Sequence, residues 1–578
     1  MQKLLILVSV FVFFVQLSAQ SQKISNRLNK TVANVEKNRS ITVWIYFNDK
    51  GNNLDKSISN KSELISQRAL KRRSKVIKNK QLVDQYDLPV YKPYINQITP
   101  YIHKKRIESR WLNAISAEIN IKALDTIVSL PFVKKIDIVN GYKRNKPLPD
   151  SQDIILKKES GLQIYNDSLT YLTQIQQIKV DKMHEKGAYG QDVLICMLDD
   201  GYRLYRQHEV FDSLDVIKTW DFINNDSTVD DTGYSYEGFH GSMTLSTIGG
   251  YAPGKLIGTA YKASFMLGKT EIDSAEIPAE EDYWVAGLEW ADAEGADIVS
   301  SSLGYIDWYT WQDMNGQTPV TTQATIIAEQ KGLLVVNSAG NEGSCDTCNT
   351  LIAPADGEYV LTIGAVDALG YRTSFSSVGP TFDGRIKPDV MAMGANVTVA
   401  SYSNPQEYSK NSGTSFSCPL TAGAAALLIE ENPQATPAQI RESLRSTASR
   451  AENPDRFMGW GIINADSADY YLKYMSIEKD KTEFLPQTYI LSQNYPNPFN
   501  PSTTIFLYLP ENGDIELDIY SVLGRKVKTL AIGYYAKGSY NFDWNGRNDR
   551  GITLSSGIYI YTLKTPNNIL SKKMVLLR

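Results

Sequence analysis

Unbroken apolar runs alternate with stretches of helical period through the middle of the chain. VLICML (Val193–Leu198), ADIVSSSL (Ala296–Leu303), LLVV (Leu333–Val336) and VLTIGAV (Val360–Val366) lack the polar-apolar alternation of a half-exposed strand. They read as strands buried on both faces. Between them, YWVAGLEWADAEG and ATIIAEQKG carry apolar residues at helical spacing and end on glycine. The pattern predicts an α/β domain, a parallel sheet with helices on both faces, over about residues 179–475. The preceding stretch holds ITVWIYFND, the polar helical run SELISQRALKRRSKV, then WLNAISAEIN, a helical stretch near Ala123–Leu130, and FVKKIDIV. That order, strand and helix in turn, predicts a small α+β domain over residues 21–150. After a linker at 476–484, residues 485–578 alternate in IELDIYSVLG, GSYNFDWNG and SSGIYIYTLK, with glycine turns, and predict a small all-β sandwich.

The ends and joints change the picture. MQKLLILVSVFVFFVQLSAQ has one lysine, an apolar run and small residues near Ala19, the layout of a secretory signal peptide over residues 1–20. No later run is long and apolar enough to span a bilayer. KRNKPLPDSQDIILKKES reads as a cleavable linker leading into a segment at 151–178, with the cut expected between about 145 and 165. A net charge of −4 with both signs mixed argues against a nucleic-acid partner. The densest basic run, Lys71–Lys75, reads as a solvated helix face. Of four cysteines, Cys345 and Cys348 sit close enough for a local disulfide in an exported chain, whereas Cys196 and Cys418 read as buried free thiols. A zinc site from that single pair lacks a second pair of ligands.

In a parallel sheet, reactive groups gather beyond the carboxyl ends of the strands. VLICMLDDGY ends on Asp199 and Asp200, VVNSAGNEG leads to Asn341, FHGSMTLSTIGG carries His240, and NSGTSFSCPLTAGAAALL places Ser415 at a helix start. There are four histidines, and His240 alone stands among small residues; HExxH is absent. A serine hydroxyl needs a base to take its proton, and an imidazole oriented by a carboxylate does this near neutral pH. Asp199, His240 and Ser415 offer the three roles, and Asn341 an amide for the oxyanion. Pro419 is expected within the first helical turn, where its missing N–H costs little.

These motifs, in this order, resemble the subtilisin-like serine proteases, the subtilases: Asp199-Asp200-Gly201, His240-Gly241-Ser242, Ala339-Gly340-Asn341-Glu342-Gly343 and Gly413-Thr414-Ser415-Phe416-Ser417-Cys418-Pro419. The resemblance implies a serine endopeptidase that acts on protein or peptide substrates without a catalytic cofactor. It implies substrate binding by Ser302, Leu303 and Gly304 as an added strand, and by Ser338, Ala339 and Gly340 as one wall of the pocket before the scissile bond. Glu342 at the rim would favour basic side chains, while Ile352 would narrow the floor. Two positions depart from the family: Met243 stands where a histidine is usual, and Asp200 where serine or threonine is usual. Asp200 is expected to face solvent or a cation. The metal is unknown; NNDSTVDD (Asn224–Asp231) is the candidate loop for a structural calcium. The first domain resembles subtilase propeptides. QNYPNPFNPSTTI, YSVLGRKVKTL, WNGRNDRG and the ending KKMVLLR resemble type A sorting domains of type IX secretion. That implies the secretion machinery as a partner and release or attachment at the surface of a Gram-negative cell; the chain is expected to be a monomer. The competing reading is a catalytically silent surface adhesin or scaffold that keeps the fold.

Overall fold

The alternation of SITVWIYF gives the first strand two buried faces rather than one. In the computed structural model it forms β1 (Ser40–Phe47). Val43, Ile45 and Phe47 enter the N-terminal domain's own core, while Trp44 and Tyr46 face the opposite way, into a core shared with the α/β domain. The described residues are 23–139 except 37–38, 52–63 and 79–80; 170–479 except 231–237, 273–276, 278 and 345–349; and 489–578 except 492–493, 495–496, 537 and 567. The signal peptide, the expected cut site, and the Cys345–Cys348 pair therefore lie outside the described residues, whereas Cys196 and Cys418 are buried free thiols as expected.

The chain forms two compact units, divided between Lys473 and Tyr474. In the first, a short helix α1 (Gln67–Arg73) follows β1, and β2 (Ile102–Ser109), β3 (Ala114–Asn120) and β4 (Val133–Val139) complete an antiparallel sheet ordered β2-β3-β1-β4. β2 was not legible as a strand, because its HKKR stretch is an exposed edge.

The α/β domain follows. Its strands are β5 (Leu194–Asp199), β6 (Asp215–Asp221), β7 (Ser264–Lys269), β8 (Ile298–Ser301), β9 (Leu334–Ser338), β10 (Val360–Val366) and β11 (Val390–Met393). They pair in parallel in the order β11-β10-β9-β8-β5-β7-β6. The chain moves outward from β5 to β6 and β7, then returns to the other side of β5 for β8. The sheet therefore switches direction beside β5, where such sheets open a crevice at the strand ends. Helices α2 (Phe239–Gly249) and α5 (Thr414–Glu431) pack on one face, and α3 (Ala279–Glu294) and α4 (Val320–Gln330) on the other. Every residue of α5 from Thr414 to Leu428 is buried.

The N-terminal sheet covers α3, and the joint is ionic as well as apolar. Ser116 and Arg106 reach Asp282. Glu289 accepts from Ser109 Oγ and from the N–H groups of Arg110 (3.1 Å) and Trp111 (3.2 Å). The basic run Lys71–Lys75 is not a solvated face: Arg72 and Arg73 are buried, and both pair with Asp292 of α3. Arg73 also pairs with Asp87 at 2.7 Å. Buried guanidinium groups require such partners, and these carboxylates supply them.

Burial pushes the Glu281 carboxyl up to about 7, against hydrogen bonds donated by Tyr309 (2.7 Å) and Trp308 (2.9 Å). It pushes Asp282 up to about 6, and Glu289 upward too. A raised carboxyl binds protons in the assembled state that an exposed one would release, so these groups favour assembly at acid pH. The contribution of Glu281 and Asp282 is lost as pH rises through about 6 to 7. A Glu281→Gln chain should therefore gain melting temperature over wild type between about pH 5 and pH 8. A difference that stays flat with pH would contradict this.

The second unit is an antiparallel sandwich of a three-stranded and a four-stranded sheet. Leu507, Leu517, Ile519, Trp544 and Tyr561 lie in its core. Among the described residues, no helix is long and apolar enough to cross a membrane.

Candidate active site

Asp199 is the last residue of β5 and is buried. Its Oδ1 lies 2.6 Å from Nδ1 of His240, which sits half-buried in the first turn of α2. A carboxylate only accepts, so Nδ1 carries the proton and Nε2 is left basic on the far side of the ring. Two further donors hold the carboxylate: Thr244 Oγ1 to Oδ2 at 2.9 Å, and the Asp200 N–H to Oδ1 at 3.0 Å. Thr244 was not foreseen as a site residue. It stands four residues after His240 on the same helix, a spacing that puts both on one face. Close approach between α2 and β5 explains Gly241: a methyl added there would lie 2.1 Å from the carbonyl oxygen of Gly201.

Ser415 is the second residue of α5 and is almost wholly buried. Its N–H belongs to the first helical turn, whose amides lack intrahelical partners. Pro419 lies past that first turn, contrary to expectation. It removes the N–H that would bond the Ser415 carbonyl four residues back. That carbonyl instead accepts from Ser302 Oγ at 2.8 Å, and Ser415 Oγ lies 3.5 Å from the Ser302 carbonyl oxygen. Ser302 thus ties the end of β8 to the start of α5. Phe416, next in sequence, sets its ring 6.2 Å from the imidazole of His240.

Asn341 is exposed at the end of the β9 loop. Its Oδ1 accepts from the Thr414 N–H (2.9 Å) and the Thr414 hydroxyl (3.0 Å). With the oxygen so engaged, the Nδ2 group is turned toward Gly413, 3.6 Å from where a side chain there would begin. Leu303 presents its carbonyl to Asn337 (2.9 Å). Ser338 and Ala339 are buried at the end of β9. Ile352 fills the space between Gly304 and Gly340. A methyl on Gly304 would lie 2.2 Å from Ile352 Cδ1, and one on Gly340 would lie 2.9 Å from Ile352 Cγ2.

Asp200 corrects the sequence reading. It is buried, and its carboxylate accepts from the N–H groups of Gly241 (2.8 Å) and His240 (3.2 Å) rather than facing solvent. Met243 packs in the core, with Asn411 Nδ2 at 3.2 Å from its sulfur. Asp199, Asp200 and His240 are the one group of three ligand-type side chains that converge closely among the described residues. The part of the candidate calcium loop that is described forms no such group, and Asp231 lies outside the described residues.

A parallel sheet with a carboxylate–imidazole pair at its switch point, beside a helix with a serine in its first turn, defines a serine endopeptidase. The chain belongs to the subtilase family, whose model matches residues 190–461. Subtilisin DY of Bacillus licheniformis is 32% identical over 295 residues, covering 51% of this chain and 97% of that protein. Subtilisin NAT of Bacillus subtilis subsp. natto is 31% identical over 306 residues, covering 53% and 72%. The solved structure of the prenylagaramide maturation protease PagA overlaps 51% of this chain and 98% of its own, at 22% identity and a TM-score of 0.41. Residues 42–153 match the peptidase S8 propeptide domain of Bacteroidota, so the N-terminal domain is a propeptide domain. Residues 501–568 match the FlgD Ig-like domain.

Proposed function

We propose that the protein hydrolyses peptide bonds through an acyl-enzyme, with Ser415 as nucleophile, His240 as base and then acid, Asp199 as its orienting carboxylate, and Asn341 as oxyanion donor. The observation that carries this reading is the 2.6 Å contact of Asp199 with His240 beside the helix whose first turn holds Ser415. His240 Nε2 takes the proton as Ser415 Oγ attacks the carbonyl, then gives it to the leaving amine. Asn341 Nδ2 and the Ser415 N–H stabilise the charge on the oxygen, helped by the positive end of α5. An extended substrate adds a strand against Ser302, Leu303 and Gly304. The test is hydrolysis of an extended peptide by the purified, processed protein. Asn341→Ala should lower kcat by about two to three orders of magnitude with little change in KM; an unchanged kcat would remove Asn341 from the mechanism.

The side chain before the scissile bond enters between Ser338–Gly340 and Gly304, and Ile352 occupies the space between those walls. This supports a shallow pocket that takes small side chains, and gives Glu342, exposed outside it, little say. Cleavage of a peptide library should favour alanine, serine or glycine before the cut. Ile352→Gly should admit large apolar side chains with at least about tenfold gain. Equal cleavage after tryptophan and alanine by the wild type would contradict this.

The chain is a precursor in this reading: signal peptide 1–20, propeptide 21–150, linker and mature start 151–178, catalytic domain 179–475, linker 476–484, and a sorting sandwich at 485–578. The family matches at 42–153 and 190–461 and the division at Lys473 support the layout. The sandwich directs export by the type IX machinery, on the strength of its QNYPNPFNPSTTI and KKMVLLR segments.

A further inference from the structure

Helix α2 carries the base, and its N-terminus needs an acceptor that its own cap cannot supply. The capping residue is Gly238, which has no side chain and makes no side-chain cap bond. The early amides of a helix are left without partners and carry the positive end of its dipole. Asp200 reaches across from the end of β5 and accepts two of them, from Gly241 at 2.8 Å and from His240 itself at 3.2 Å. A serine or threonine at this place offers one small acceptor and no charge; a carboxylate offers two oxygens and a negative charge. Donors from the backbone and the helix dipole both favour the ionised form.

That charge lies close to the base. An oxygen of Asp200, an oxygen of Asp199 and a ring nitrogen of His240 all lie within 4.8 Å of one another. The neighbouring strand β7 brings Lys269 level with Asp199, and Lys269 and Glu271 are both buried there. Helix α5 presents Ser415 and Phe416; α2 itself adds Ser242, Met243 and Thr244; Asn411 touches Met243. The buried Tyr202 interacts with both aspartates, and its hydroxyl is pushed far up, so it stays neutral. The loop after β5 also carries Arg203, whose guanidinium Nε is buried and whose backbone carbonyl accepts from Ser242, so a cation as well as an anion lies in this loop.

We propose that Asp200 is a positioning residue for His240: it pins the backbone of the imidazole through two amide bonds and adds a second negative charge that strengthens the base. The inference rests on the reading of His240 as the general base. Its sign is definite. A nearby anion stabilises the imidazolium, so the ring stays protonated to higher pH, and the acid limb of the pH–rate profile lies higher than with a neutral residue. The gain is a stronger proton acceptor and a better-stabilised imidazolium during attack; the cost is activity on the acid side.

The test is the pH profile of kcat/KM for the processed enzyme, wild type against Asp200→Asn and Asp200→Thr. Removing the charge should move the acid limb down by about one pH unit. In Asp200→Thr the hydroxyl still accepts one amide, so kcat on the plateau should fall by no more than about tenfold. An acid limb that stays within about 0.2 of a unit in a folded variant would overturn the proposal, whatever the rate does, and leave Asp200 as a helix cap. If Asp200→Asn does not accumulate, Asp200→Thr carries the same test alone. Retained activity in His240→Ala would sink a different claim, the base assignment, and is read from that variant.

Discussion

Ser415→Ala is expected to lower turnover by about six orders of magnitude, a size carried over from subtilisin, a relative of this chain. The nucleophile is the group whose loss leaves nothing to form the acyl-enzyme. His240 keeps its proton bookkeeping and Asn341 its amide, but no bond to the substrate carbonyl follows. The residual rate should reflect binding and oxyanion stabilisation alone. The hydroxyl sits at 3.5 Å from one carbonyl, and the fold does not lean on it, because the Ser302 bond goes to the backbone of residue 415. The variant should therefore melt close to wild type. A preparation that loses its fold along with its activity would not match this account.

Asp199→Asn comes next, at about four orders of magnitude in kcat. The cause is the tautomer. An amide placed 2.6 Å from Nδ1 can donate to it, which sends the ring proton to Nε2. The nitrogen that should accept from Ser415 then carries a hydrogen. Thr244 Oγ1 can still donate to the remaining carbonyl oxygen and hold the side chain in place, while the Asp200 N–H, which meets the oxygen that faces Nδ1, loses its acceptor. The loss should appear in kcat with KM within a few-fold and the melting temperature little changed. A loss confined to KM would point to a substrate contact instead of an orienting role.

Much of the fold was open to reading because parallel strands buried on both faces leave unbroken apolar runs. VLTIGAV became β10 residue for residue, and VLICML became β5 within a residue at each end. Of the strands that escaped, β7 carries that signature in SFMLG and went unread, while two others lack it. β6 is a half-exposed edge with Lys218 and Asp215 facing out, and β11 is four residues long, directly after Asp389. The site was legible as motifs because its chemistry allows few residue types at strand and helix ends. What joins the motifs was not. Arg72 and Arg73 look like surface charge until Asp292, some 220 residues on, is seen beneath them. Asp200 looks like a turn residue until α2 is docked on it with a glycine at its cap. The Ser302 hydroxyl has no evident purpose until Pro419 is seen to orphan the carbonyl of Ser415. Each case is a contact between distant segments, and local pattern cannot carry that information.

The central claim is that the hydroxyl of Ser415 is made nucleophilic by His240. Labelling the processed protein with a fluorophosphonate, followed by peptide mapping in a mass spectrometer, tests it most directly. One adduct on Ser415, absent in Ser415→Ala and strongly slowed in His240→Ala, is the expected result. A proteolytically active preparation in which Ser415 remains unmodified would contradict the account.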